Sequence, residues 1–342
     1  MSDDGIKWLT RRGIGPGLQP LVLTFGIVGV GLVVLGAYRG GEWIRVLRGG
    51  HSDAAHVIEA WDGTAPIARD VNGDGLEDII GVYAGRDPGG MYLGAFDGKS
   101  GRVIWRHGPI VIHRAIGGNL VQFGLQGERL LVNEHRGGIV LGLRDGAVQS
   151  KLQLPAARQV CAGDSADAPL VVETQRADAP LAADLATGKV QPLAGRRICQ
   201  RTMTSARAID PATVHGDKVR MALTDGAHVV AFGSDSTVRG HADPTSAPKW
   251  TVPLALRVNS ADLAAGRLII LGTDPKGSAS QVIALDAERG AELWRSPLDA
   301  SAGVVAQLSA TKARVYVTVG EYLLVLDAGT GKLLRDLGLG RD

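Results

Sequence analysis

Nine consecutive residues, Asp70 to Asp78, read DVNGDGLED, and their types and spacing suit one kind of chemistry. Side-chain oxygens at positions one, three, five and nine, a backbone carbonyl at seven and a glycine at the sharp bend make a donor set for a hard divalent cation such as Ca2+. The ligands are then Asp70, Asn72, Asp74, Asp78 and the Leu76 carbonyl, with the ion bracing a loop and taking no part in a reaction. The same letters also suit a metal-free Asx-rich turn, because Asn-Gly and Asp-Gly are hairpin signals.

A second set is cationic. Arg114 in HRAIGG, Arg158 in ARQVCAG, Arg197 in RRICQR and Arg257 in LRVNSAD each open a β-rich segment. On equivalent inner strands of a ring, four guanidiniums converge on the axis and favour a carboxylate, a phosphate or an acidic partner segment. The competing arrangement pairs each arginine with an acid of a neighbouring segment. Cys161 and Cys199 follow in the same register. They form either one disulfide between adjacent repeats, which needs Cα atoms within about 7 Å, or two buried thiols.

Other chemistries lack their residues. The eight histidines form no HxxxH or HxH pair, no G-x-S-x-G or P-loop is present, and two cysteines cannot build a four-cysteine zinc site or a CxxCH haem attachment. With 37 basic and 35 acidic residues, a net charge of +2 offers no general attraction to a polyanion, so nucleic acid is not an expected partner. No catalytic residue is assigned, and the expectation is a protein that is not an enzyme.

The elements that must position these residues recur along the chain. LGAFDGKSGRVIWRH from Leu93 and VIALDAERGAELWRSPL from Val282 share Asp, Gly and Trp in register: Asp97, Gly101, Trp105 and Asp286, Gly290, Trp294. LLVLDAGTGKLLRDLG keeps Asp327 and Gly331 but has Arg335 at the tryptophan position. Weaker copies run from Val140, Ala182 and Val229, with Asp145, Asp184 and Gly233 taken as the matching residues. A period of about 40–50 residues accommodates four short strands. Alternating apolar residues make each run a strand with one buried face, and Asp-x-x-x-Gly supplies the tight turn between two of them. One such unit cannot bury its own face, whereas several stacked around an axis can, with their edges protected.

The phrase resembles the A-x-D-x-x-T-G-x-x-x-W signature of the PQQ-binding-like β-propeller repeat family, over roughly residues 57–342. The resemblance implies an all-β propeller of six blades, with seven allowed by the long stretch from Arg196 to Leu254, and makes Trp105 and Trp294 packing residues. The Asp70 loop with Ile79-Ile80-Gly81-Val82 is similar to the FG-GAP repeats of integrin-type propellers, while Gly81 at position twelve excludes an EF-hand. The family includes quinone-dependent alcohol dehydrogenases and the propeller lipoprotein of outer-membrane barrel assembly, so it implies a fold far better than an activity. PQQ itself is not expected: the vicinal cysteines of such dehydrogenases are absent and six blades are too few.

Ahead of the repeats, Leu18 to Tyr38 contains no charge. About 20 residues at roughly 1.5 Å each cross a hydrocarbon core of about 30 Å. No small-x-small cleavage site of convincing form follows, so an uncleaved transmembrane helix is expected. Lys7, Arg11 and Arg12 before it are matched by Arg39, Arg45 and Arg48 after it, and orientation rests on the short leader and long following domain. The expected layout is a cytoplasmic leader (1–17), a transmembrane helix (18–38), a juxtamembrane linker (39–56) and an extracytoplasmic propeller (57–342). In a bacterial cytoplasmic membrane that propeller faces the periplasm. Its expected role is a scaffold for an envelope or membrane protein; the alternatives are a binder of an anionic small molecule and, less supported, a PQQ-dependent oxidoreductase.

Overall fold

Runs such as RLIILGT and RVYVTV are apolar at almost every position, and both are buried along nearly their whole length. A strand buried on one face alternates; a strand buried on both reads as a continuous apolar run. The middle strands here are therefore sandwiched between neighbouring sheets, a correction to the single buried face expected from alternation. Alternation survives at the outer edge, where ELWRSPL buries only its tryptophan and final leucine.

The computed structural model describes residues 58–61, 64–86, 89–110, 121–134, 137–155, 157–163, 166–174, 179–193, 206–277, 279–298, 306–319 and 322–337. Six antiparallel sheets follow one another in the chain. The first holds β1 (Ile58–Trp61), β2 (Ile67–Arg69), β3 (Asp78–Arg86), β4 (Gly89–Phe96) and β5 (Val103–Ile110), with β1 and β2 sharing one edge of β3. The second holds β6 (Gln122–Gln126), β7 (Arg129–Glu134), β8 (Gly137–Gly142) and β9 (Val148–Leu152). The third holds β10 (Ala157–Cys161), β11 (Leu170–Thr174), β12 (Leu181–Asp184) and β13 (Lys189–Pro192). The fourth holds β14 (Arg207–Ile209), β15 (Val219–Thr224), β16 (Val229–Gly233), β17 (Thr237–His241) and β18 (Pro248–Pro253). The fifth holds β19 (Arg257–Ala264), β20 (Arg267–Thr273), β21 (Ser280–Asp286) and β22 (Glu292–Leu298), and the sixth β23 (Ala306–Ala310), β24 (Arg314–Val319), β25 (Tyr322–Asp327) and β26 (Leu333–Asp336). All six lie in one compact unit.

Six sheets are thus described, as the repeats imply. The stretch suspected of hiding part of a seventh holds, among its described residues, the whole of the fourth sheet, which has five strands. The expected transmembrane helix and the EWIRVLR run lie outside the described residues. Among the described residues no helix is long and apolar enough to cross a membrane.

Apolar clusters join the first sheet to the second, the second to the third, the fourth to the fifth, the fifth to the sixth and the sixth back to the first. One device recurs at three of these junctions. Trp105, Trp250 and Trp294 on outermost strands donate their indole N–H to the carbonyls of Leu143, Ala287 and Ala328 in the next sheet's turn, at 2.8, 3.1 and 3.0 Å. Each ring lies on that turn's glycine: a Cβ built on Gly146, Gly290 or Gly331 would come within 2.5, 2.6 or 2.4 Å of it. Trp250 shares its setting with Trp294 (PKWTVPL against AELWRSPL), a signal the repeat alignment missed.

The turns also correct one alignment. A glycine N–H bonds the carbonyl four residues back in Asp97–Gly101, Gly142–Gly146, Asp184–Gly188, Asp286–Gly290 and Asp327–Gly331. The second sheet's counterpart of Asp286 is therefore Gly142, not Asp145. A Cβ on Gly142 would meet Asp145 Oδ1 at 2.5 Å, so the carboxylate reaches the usual place from three residues later.

Closure of the first sheet on the sixth uses different residues, because Arg335 replaces the tryptophan. Trp61 donates to the carbonyl of Leu337 at 2.8 Å across 276 residues, and packs with Tyr83, Phe96, Tyr316 and Leu337. Ser309 and Thr318 hydroxyls donate to the carbonyls of Pro66 and Thr64, at 2.7 and 3.2 Å.

Gly331 has φ +69° and no room for a Cβ, whereas Gly226 has φ +93° in open space. Gly331→Ala should lose about 2–4 kcal/mol, from left-handed strain plus overpacking, and Gly226→Ala only about 1–2 kcal/mol, from strain alone. Urea denaturation of both variants measures this, and equal losses would remove the docking account.

Candidate functional site

The Asp70 loop folds through side-chain to backbone hydrogen bonds. Asp70 accepts the amides of Gly73 and Gly75 at 2.7 and 2.9 Å, Asn72 accepts that of Asp74 at 2.8 Å, and Asp74 accepts that of Leu76 at 2.8 Å. Asp70, Asn72 and Asp74 are exposed, but Asp78 is fully buried. Its carboxylate takes the amides of Val71, Asn72 and Gly98 at 2.9, 3.1 and 2.9 Å. Among the described residues no group of three or more His, Cys, Asp or Glu side chains is disposed to hold a metal. Four donors are thus positioned as turn formers, with exposed oxygens that retain lone pairs at Asp70, Asn72 and Asp74.

The loop also sits at the closure. Asn72 Nδ2 donates to Asp97 at 3.1 Å, the Thr311 hydroxyl donates to Glu77 Oε2 at 2.6 Å, and Arg314 donates to the Gly98 carbonyl at 2.9 Å. Glu77, absent from the expected ligand set, is the residue through which this loop grips the sixth sheet. No sequence periodicity marks it.

Of the four arginines, Arg114 and Arg197 lie outside the described residues. Arg158 and Arg257 are exposed and do lie on the first strands of their sheets, β10 and β19. They are not equivalent. Each strand carries a one-residue bulge, and the bulged residues are Arg158 in β10 and Asn259 in β19, so Arg257 stands two positions earlier. A strand reader counting letters cannot see such a bulge.

Cys161 is disulfide-bonded, and Cys199, the chain's other cysteine, lies outside the described residues. Pairing registers give Cys161 its counterparts. It opposes Val171 as Asp262 opposes Ile269 and Ser309 opposes Tyr316, and in the fourth sheet the matching residue is Ile209, not Cys199. This inner position is used for ties between sheets. Asp262, fully buried, accepts the amides of Ala206 in the fourth sheet and Ala310 in the sixth, at 3.2 and 2.8 Å. A buried carboxylate is tolerated because backbone amides satisfy it. Gln126 plays a related part between the second and third sheets, accepting the Leu185 amide at 2.6 Å and donating to the Asp167 carbonyl at 2.8 Å.

The repeat carboxylates serve their turns. Hydrogen bonds from Ser100, Thr187 and Thr330 hold Asp97, Asp184 and Asp327 below the ordinary carboxylate pKa. At Asp286 burial acts upward, but Arg289 and the turn amides outweigh it and the pKa is again lowered. Burial pushes the Tyr83 hydroxyl up to about 12, lowers His107 and raises Glu134.

Residues 234–335 match the family described as outer membrane protein assembly factor BamB. Among solved structures, apo AztD from Citrobacter koseri is similar over 72% of this chain and 92% of its own, at 9% identity and a TM-score of 0.51, a likeness of fold. BamB from Moraxella catarrhalis aligns over 80% of this chain and 87% of its own, at 16% identity and a TM-score of 0.31. No curated protein matches the sequence.

A carboxylate with a lowered folded pKa stabilises the fold above its unfolded pKa of about 4, and that stability is lost as pH falls through the folded value. Thermal midpoints measured from about pH 7 down to about pH 2 should fall steeply in the acid range, and Asp327→Asn should be less stable at neutrality with a shallower acid decline. Parallel curves for the two proteins would contradict this assignment.

Proposed function

We propose that this chain of PQQ-like propeller repeats is a protein-interaction scaffold of the bacterial cell envelope, tethered to the cytoplasmic membrane by residues 18–38 with the propeller in the periplasm. The observation that carries the reading is the match of residues 234–335 to an outer membrane protein assembly factor family. The use of chemically able side chains supports it. Asp97, Asp184, Asp286 and Asp327 cap turns, Asp262 and Gln126 tie sheets, and the tryptophans dock neighbours. What remains for a partner is the surface between these fastenings, and an envelope or membrane protein is the expected occupant.

A second reading has one observation in its favour. Arg158 and Arg257 are exposed on first strands, where an anionic small molecule or acidic segment would find them. A Ca2+ ion at Asp70, Asn72, Asp74, Asp78 and the Leu76 carbonyl belongs to the same proposal as a structural brace. Because Glu77, within the loop, bonds Thr311 of the sixth sheet, an ion there would stabilise closure.

Photo-crosslinking from positions 158 and 257 of the full chain, in membranes of its source cell, tests the scaffold. A discrete crosslinked envelope protein, lost on Arg158→Glu with Arg257→Glu, is the expected result; crosslinking no stronger than from an outer-edge position such as Leu333 counts against it. For the ion, millimolar Ca2+ should raise the calorimetric unfolding midpoint of the native chain and leave Asp70→Asn with Asp74→Asn unmoved. An unchanged native midpoint removes the metal from the account.

A further inference from the structure

Asn72–Gly73 is the one place in the sequence where an asparagine precedes a glycine; Asn119, Asn133 and Asn259 precede Leu, Glu and Ser. The amide nitrogen that follows an asparagine can attack that asparagine's own Cγ, and a glycine leaves this nitrogen unshielded. Gly73 has φ +82° and nothing within 4 Å of the place a Cβ would occupy. Asn72 itself is exposed.

The groups around this pair stand where such an attack needs them. Asp70 Oδ1 accepts the Gly73 N–H at 2.7 Å, so a carboxylate sits on the proton that the nucleophile must lose. Asn72 Oδ1 accepts the Asp74 amide at 2.8 Å, and this is the oxygen on which negative charge develops when Cγ is attacked. The same bond closes an Asx turn, which curls the carboxamide over its own following peptide. Nδ2, the leaving nitrogen, is held to Asp97 Oδ2 at 3.1 Å. Asn133 is the contrast, its carboxamide engaged by the Ala157 amide and the Pro155 carbonyl at 2.8 and 3.4 Å.

We infer that the Asp70 loop converts its own Asn72 to aspartate and isoaspartate, with Asp70 as the general base. The Gly73 nitrogen gives its proton to Asp70 and bonds to Cγ; the Cγ–Nδ2 bond then breaks, and Nδ2 departs as ammonia with that proton. A five-membered succinimide remains, and a solvent water opens it at either carbonyl. One water is consumed and one ammonia released, with no change of oxidation state. Asp74 has similar surroundings, since Asp70 Oδ2 accepts the Gly75 amide at 2.9 Å and Asp74 Oδ1 that of Leu76 at 2.8 Å. A carboxylate is a far poorer electrophile than a carboxamide, so Asn72 reacts first. Conversion replaces the donor that faces Asp97 by an anion, and the loop loses its contact with the Asp97 turn. The chemistry is independent of what the propeller binds.

Timed incubation of the full chain near neutral pH with EDTA, followed by peptide mapping and isoaspartate detection, tests this. The peptide holding Asn72 should gain the mass of an amide-to-acid exchange at least about tenfold faster in the folded chain than in the same chain unfolded in urea. With a carboxylate as base, the folded rate should also rise less steeply with pH than the unfolded rate, which follows hydroxide. Neither comparison needs a substitution. Asp70→Asn, which can still accept both amides, should bring the folded rate down to the unfolded one or below, and Asp70→Glu should restore part of it. A folded rate no faster than the unfolded one, an unchanged rate in Asp70→Asn, or conversion spread evenly over Asn133 and Asn259 would each overturn the inference.

Discussion

An indole lying on the turn glycine of the next sheet is the contact on which the architecture depends. A sheet whose middle strands are apolar on both faces cannot persist alone, and each needs two neighbours at a fixed spacing and angle. Trp105, Trp250 and Trp294 set that spacing with one geometry: a ring on a glycine that leaves no room for a Cβ, and an N–H on the carbonyl three residues before it. Burial of the ring supplies most of the energy, since truncating a buried tryptophan costs about 3–5 kcal/mol. The hydrogen bond fixes its orientation and satisfies the indole nitrogen away from water.

Where the outer-strand tryptophan is missing, other contacts fill the same gap. Gln126 bridges the second and third sheets through the amide and carbonyl groups of the chain itself. The sixth and first sheets meet through Trp61, Ser309, Thr318 and the loop residue Glu77, so the acidic loop of the first sheet serves the closure as well as its own turn. Asp262 holds three successive sheets from within.

The propeller was legible because its signal is periodic: Asp97, Asp286 and Asp327 with their glycines announce the same turn each time, and Trp105 and Trp294 announce the same dock. Asp145 misled because the carboxylate matters by where it reaches, and from a position three residues later it reaches the place left by Gly142. Arg158 and Arg257 look equivalent in the letters, yet a bulge displaces one against the other, and bulges have no letter of their own. Asp262, Ser309 and Glu77 escaped notice for a different reason. Their partners are backbone groups or side chains of other sheets, far away in sequence, so nothing local distinguishes them from ordinary surface polar residues.

If closure is what makes the ring one cooperative structure, a change at one end of the described chain must be felt at the other. Residue-level hydrogen exchange of Trp61→Ala is the most direct measurement. The account predicts loss of protection in both β3 to β5 and β24 to β26, because Trp61 packs against Leu337 and Tyr316 as well as Tyr83 and Phe96. Loss confined to the first sheet, with the sixth as protected as in the native chain, would contradict it.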